Sequence, residues 1–145
     1  FQAVEDSLAA AKKSFEAGDY KQALAAAKDL PAKAQELAAA VTAKKEELTQ
    51  SWESMSGGLP GMVEAIQSRV DILSKSRRLP AGLDKDTFEN AKASLDTAKQ
   101  TWSEATAAFS GGNLMDAVSK ATAVKEKAAE IMAALGMQAP QAAAQ

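Results

Sequence analysis

A cluster of cations holds the side chains best suited to bind a partner. All three arginines of the chain, Arg69, Arg77 and Arg78, lie within ten residues, and Lys75 stands beside the last two. Guanidinium groups bind carboxylates and phosphates through paired hydrogen bonds, so this segment could dock an acidic group. Cations at the end of a helix also complement its dipole without any partner. Lys75, Arg77 and Arg78 are therefore candidate partner-binding residues, and helix termination is the alternative interpretation.

The two tryptophans are the next candidates. Trp102 lies on an unbroken apolar stripe and is predicted to be a core residue. Trp52 lies near the end of a predicted helix, where the stripe shifts and Gly57 and Gly58 follow. We expect Trp52 to pack against the next helix and yet to be more exposed than Trp102. Trp52 is therefore a candidate contact for a partner protein.

Composition excludes most catalytic chemistry. The chain has no histidine and no cysteine, so the usual nucleophile and base pairs, zinc sites and histidine-ligated haem are not expected. It also lacks the glycine-rich phosphate loop and the dinucleotide fingerprint. No pair of acidic residues falls at an inward position. We therefore predict no catalytic, metal-binding or cofactor-binding residues, and a protein that is not an enzyme.

The net charge and the hydropathy of the chain restrict the classes of partner that it could bind. The net charge is -2 and the isoelectric point is about 5.2, which argues against nucleic acid as a partner. No apolar run approaches the roughly 20 residues that span a bilayer. Because the chain starts at Phe1, we expect an upstream leader or lipid anchor to have been removed, or a cloning boundary. Abundant alanine, lysine and glutamine suggest the bacterial cell envelope or periplasm, with the cytoplasm as the alternative.

The chain also repeats itself at an offset of 94 residues. Residues 1–51 fall on 95–145 with the apolar positions aligned. Phe15 then matches Phe109 and Gly18 matches Gly112. Asp19 matches Asn113, the next residue in each case. The repeat predicts one helical hairpin used twice.

Helical periodicity and breakers define the expected elements. We predict an all-α, elongated antiparallel bundle of about five helices. Two related hairpins, 1–56 and 84–136, flank a central helix over 59–77. The break at Ser56-Gly57-Gly58 separates the first hairpin from that central helix. Residues 1–136 form one domain in this interpretation, and 137–145 form a disordered tail or linker.

The apolar stripes predict the core. In the first hairpin the stripe passes through Leu8 and Phe15, and Tyr20 beside the turn is expected to plug the core. Phe109 is expected to do the same in the second hairpin. Pro31 should kink the second helix, or lie in the first turn of a fresh helix capped by Asp29.

One local resemblance accompanies the repeat. The stretch from Ala11 to Leu30, AKKSFEAGDYKQALAAAKDL, resembles the middle of a tetratricopeptide motif, with Phe15, Gly18, Asp19, Tyr20 and Ala23 in the matching places. The second copy repeats these places, except that Leu114 replaces the tyrosine. The period of 94 differs from the 34 residues of that family. We interpret the resemblance as a shared tight helical turn, and the family's peptide-binding surface is not carried over.

These observations favour a non-catalytic structural or interaction module that presents helix faces to a protein partner. The alternative is a binder of a small apolar ligand, with a cavity between the two hairpins where alanine leaves room. A helical spacer from a longer protein is a third interpretation.

Overall fold

The computed structural model describes residues 2–138, and they are 86% helical with no strand among them. Four helices follow one another: α1 (Gln2–Glu16), α2 (Tyr20–Lys75), α3 (Lys85–Ser110) and α4 (Leu114–Ala134). The all-α class predicted from the sequence is therefore confirmed. The predicted tail lies largely outside the described residues, although Met137 packs against the apolar core.

The chain divides into two compact units, residues 1–47 and 48–145. The first unit holds α1 and the beginning of α2. The second unit holds α3, α4 and the remainder of α2. The prediction of a single domain over 1–136 stays a prediction.

The predicted break at Gly57 and Gly58 is wrong, because α2 is helical from Tyr20 to Lys75. It also continues through Pro31 and Pro60, so four helices are present where about five were expected. Three glycines and Pro60 cost a helix interior roughly 6 kcal/mol. Leu59, inside this segment, is only 2% exposed. Burial along one helical face, from Trp52 to Leu73, outweighs the local propensity.

The two hairpin turns have the same hydrogen bonds at the predicted offset. Gly18 and Gly112 both have positive φ, 79° and 81°, a conformation that glycine adopts without strain. Asp19 and Asn113 then cap the helices that follow. Each accepts a 3.2 Å hydrogen bond at its side-chain oxygen from the backbone N–H three residues later.

The second unit is a three-helix bundle with an apolar core of two clusters, and the partly buried Met62 and Val63 pack against both of them. One end of the core, the Ile66 cluster, contains Ile66, Val70, Leu73, Leu83, Phe88, Ala91, Leu95, Ala128, Ile131, Met132 and Leu135. The other end, the Trp52 cluster, contains Trp52, Leu59, Ala98, Ala105, Ala117, Ala121 and Val124. Residues from α2, α3 and α4 meet in both clusters, so each helix is covered by the other two.

The first unit is a two-helix hairpin with almost no core. Within residues 2–47, Ala23 alone is buried. A hydrogen bond of 2.6 Å from Lys33 Nζ to Ser7 Oγ links α1 to α2. The contact between the two helices is therefore thin, and most of their large apolar side chains, including Leu8, Phe15 and Tyr20, are exposed.

Candidate functional site

The helix contact within the first unit is made mostly by small residues, with Leu30 of α2 as a half-buried larger side chain. Val4, Ser7, Ala11 and Ser14 of α1 are half-buried, and Ala23 is the buried residue in the part of α2 that belongs to this unit. Small side chains let two helices approach closely, but each one buries little apolar area. This contact uses only one edge of the apolar stripe that the sequence predicted.

The other edge of the stripe faces solvent. Leu8, Phe15, Tyr20 and Leu24 are 59%, 62%, 64% and 56% exposed, respectively. The rings of Phe15 and Tyr20 contact edge to face across the turn, with centroids 5.4 Å apart. We call these four residues the open face of the first unit.

The prediction that Phe15 and Tyr20 plug the core is therefore wrong, and so is the core assignment of Leu8. Phe109, the counterpart of Phe15, is also 39% exposed. The physical reason is that a hairpin of two helices has a single contact surface. A wide apolar stripe supplies that surface and leaves its remaining width for a further neighbour.

In the second unit, a third helix covers the equivalent apolar surface of the hairpin formed by α3 and α4. At the offset of 94, Leu8 and Phe15 correspond to Trp102 and Phe109 of α3. Trp52 of α2 stacks on both rings, with centroids 5.4 Å from Trp102 and 4.6 Å from Phe109. The equivalent surface of the second hairpin is therefore covered by a third helix.

Trp52 lies inside the second unit. Its side chain is 6% exposed, whereas Trp102 is half-buried. The expectation that Trp52 is the more exposed of the two is wrong, because the unbroken α2 lays it on α3. Its ring is occupied by internal stacking. A role for Trp52 in binding a partner stays a prediction.

The predicted cation cluster lies at the end of α2. Lys75 is the last residue of that helix, and Arg77 and Arg78 follow in an exposed bend. Ser76 donates from its Oγ to the carbonyl oxygen of Ile72 at 2.9 Å, which occupies one of the last carbonyls of the helix. None of the three cations forms a salt bridge with any described residue. They remain available both to the helix dipole and to an acidic partner.

A groove of about 640 Å³ lies in the second unit between α2 and α4. Its wall is rich in methionine and in small residues: Ser54, Met55, Gly58, Leu59, Gly61, Met62, Ala65, Lys125, Met132, Met137 and Gln138. A Cβ atom added at Gly58 or Gly61 would meet no atom within 4 Å. The groove is therefore open beside the helix backbone, and its methionines can adapt to an apolar shape.

Local hydrogen bonds shift the pKa values of two ionisable groups, Asp84 and Lys120. The backbone N–H of Thr87 donates to Asp84 Oδ1 at 2.7 Å, and this hydrogen bond lowers the pKa of the Asp84 carboxyl. Lys120 Nζ donates to Asp116 Oδ2 at 2.7 Å, which raises the pKa of Lys120. Asp84 is the N-cap of α3, and Lys120 pairs with Asp116 within α4. Among the described residues, no cluster of three or more carboxylates could hold a metal ion.

Across residues 2–138, no helix is at once long and apolar enough to cross a membrane.

Comparisons with known proteins give no relative. No family model matches the sequence, and no curated protein or solved structure is significantly similar to it.

The open face is the site that sequence reasoning missed. Its residues were recognised as apolar and periodic, but periodicity alone does not tell which neighbour covers them. The available signal was the repeat itself. The second hairpin is preceded by a helix with its own apolar stripe, and this order could have pointed to a helix as the neighbour of the equivalent surface on the first hairpin.

Proposed function

We propose that the protein is a non-catalytic helical interaction module that binds a protein partner through the open face. The observation that carries the proposal is the exposure of Leu8, Phe15, Tyr20 and Leu24 on one side of the first unit. Contiguous apolar patches of this kind mark interaction surfaces in folded proteins.

The open face offers binding free energy that the unbound chain does not use. Full burial of a large apolar side chain contributes about 1.5–3 kcal/mol. The four side chains are roughly 60% exposed, so covering them would contribute about 4–7 kcal/mol before the costs of association. Phe15 and Tyr20 add ring surfaces of the type that dominates protein interfaces.

Site-specific photo-crosslinking tests this proposal. A photoreactive phenylalanine analogue placed at position 15 should capture a specific protein in the native source. The same analogue at Lys13, which is exposed and not one of the open-face residues, is the matched control. Equal yields at positions 13 and 15 would contradict the proposal, and so would the absence of any product at 15.

The cation cluster is a second contact in this proposal. Lys75, Arg77 and Arg78 are exposed and unpaired among the described residues, which supports docking of an acidic group. The double variant Arg77→Glu/Arg78→Glu should weaken the binding of an acidic partner to the second unit, and more so at low salt. Unchanged binding would indicate that these residues only complement the dipole of α2. Composition supports a setting in the bacterial cell envelope or periplasm, with the cytoplasm as the alternative.

Binding of a small apolar ligand is the second candidate function, and the groove of the second unit supports it. Its volume of about 640 Å³ falls in the range of ligand pockets. A ligand that fills the groove should raise the melting temperature of the chain. Gly61→Leu places a side chain at the groove wall and should abolish that shift. Medium-chain fatty acids are suitable probes, and no shift at millimolar concentration would count against this function.

A further inference from the structure

We infer that the open face binds an amphipathic helix of a partner protein. The partner helix carries an aromatic residue at the centre of its apolar face and an acidic residue three positions later. The inference rests on the proposed function and specifies the chemistry of the partner.

The internal repeat shows which occupant fits the surface. Trp102 and Phe109 take the places of Leu8 and Phe15, and one helix of the second unit covers both with a single aromatic ring, Trp52. The rings are nearly parallel, with interplanar angles of 11° and 8°. A surface built on the same hairpin therefore accepts one helix, centred on one aromatic side chain.

The second helix of the hairpin fixes the next contact. Leu24 and Lys28 correspond to Val118 and Thr122 of α4. Val118 packs against the Trp52 cluster, and Thr122 Oγ1 lies 3.8 Å from Met55 Sδ. The covering helix thus touches one helix of the hairpin through residue 52 and the other through residue 55. A helix that binds the open face should make the same pair of contacts, one turn apart.

Charge distinguishes the partner from the chain's own helix. Where the second unit has Thr122 beside Met55, the first unit has Lys28, and Lys21 lies two turns before it on the same side of α2. Neither lysine forms a salt bridge with any residue from 2 to 138. A carboxylate at the place of Met55 would pair with Lys28, whereas a cation there would be repelled.

The test uses peptides of residues 48–75, the helix that covers the second hairpin. Fluorescently labelled peptides with Met55→Glu or Met55→Lys are titrated with the full chain, and binding is followed by anisotropy. We expect the Met55→Glu peptide to bind about fivefold more tightly than the Met55→Lys peptide in low salt, with the difference shrinking in high salt. Adding Trp52→Ala to the Met55→Glu peptide should weaken its binding about tenfold or more.

Variants of the full chain locate the binding site. Phe15→Ser should abolish peptide binding, whereas Lys13→Ser should leave it unchanged. Because Phe15 is exposed, the Phe15→Ser chain should keep its helical circular dichroism. Binding that survives Phe15→Ser would overturn the inference, because the peptide would then occupy another surface.

Two further results separate this inference from the proposed function. If the Met55→Glu peptide does not bind while crosslinking at position 15 still captures a protein, the partner class is wrong and the interaction module stands. If neither occurs, both fail. Light scattering should find a monomeric chain. A dimer that Phe15→Ser dissociates would show that a second copy covers the open face, which would overturn the inferred partner.

Discussion

Replacing Trp52 by alanine should remove a large part of the free energy of unfolding of the second unit. The Trp52 side chain is 6% exposed and is the middle ring of a stack with Trp102 and Phe109. Truncating a core aromatic costs about 3–5 kcal/mol. A domain of this size is typically stable by only about 5–15 kcal/mol. A loss near 4 kcal/mol should lower the melting temperature by about 15–30 °C.

The matched control is Phe15→Ala in the first unit. Phe15 holds the place of Phe109 in the repeat but is 62% exposed, so its truncation should cost less than about 1 kcal/mol. Both variants are measured by urea and thermal unfolding with circular dichroism at 222 nm. Fluorescence excited at the red edge of tryptophan absorption reports the second unit alone, because both tryptophans lie in that unit.

Two outcomes would refute this reasoning. A cost below about 1 kcal/mol for Trp52→Ala would show that the ring stack does not stabilise the second unit. An equal cost for Phe15→Ala and Trp52→Ala would show that Phe15 is covered in the free chain, so that the open face is not open.

Three further predictions concern backbone and charge. Gly58→Ala should stabilise the chain by about 1 kcal/mol, because α2 is helical there and its Cβ would meet open space; no gain in urea unfolding would indicate a break in the helix. Gly112→Ala should destabilise by about 1–2 kcal/mol because φ is 81°, whereas Gly111→Ala, at φ -78°, should not; equal effects would contradict the turn geometry. Asp84→Ala should lower the melting temperature at neutral pH. Because hydrogen bonds from Thr87 lower the pKa of Asp84, its stabilisation is present above the unfolded value of about 3.9 and is lost as the pH falls through the lowered value. The difference between wild type and Asp84→Ala should therefore shrink below about pH 4, and a pH-independent difference would rule out the carboxylate as the cap.

Local signals predicted much of the fold. Glycine followed by Asp19 or Asn113 marks both hairpin turns, and in the structure both of these side chains cap the helix that follows. The start of α3 has the same kind of local signal, because Asp84 accepts a hydrogen bond from the backbone N–H of Thr87 and caps the helix. These features depend on a few neighbouring residues, so a single sequence is enough to find them.

The continuity of α2 could not be predicted in the same way. Gly57, Gly58 and Pro60 are strong local breakers, and only packing of Trp52 and Leu59 against α3 and α4 explains why the helix continues. That packing is a tertiary contact, which local propensity does not include.

The open face was missed for a related reason. An apolar stripe predicts burial, but it does not say whether the covering surface lies in the same chain. Leu8 and Phe15 share their spacing with Trp102 and Phe109, and only the structure shows that Trp52 covers the second pair while the first pair is exposed. Because the two hairpins are repeats, this difference suggests that a partner helix covers the first pair.

Hydrogen exchange with mass spectrometry is the most direct test of the central claim, that the first unit exposes a helix-binding surface. The full chain is compared with and without a saturating amount of the Met55→Glu peptide of residues 48–75. We predict slower amide exchange over residues 4–28 on binding, with little change over residues 98–122, the equivalent stretch that α2 already covers. Protection confined to the second unit, or no change anywhere in the first, would contradict the account.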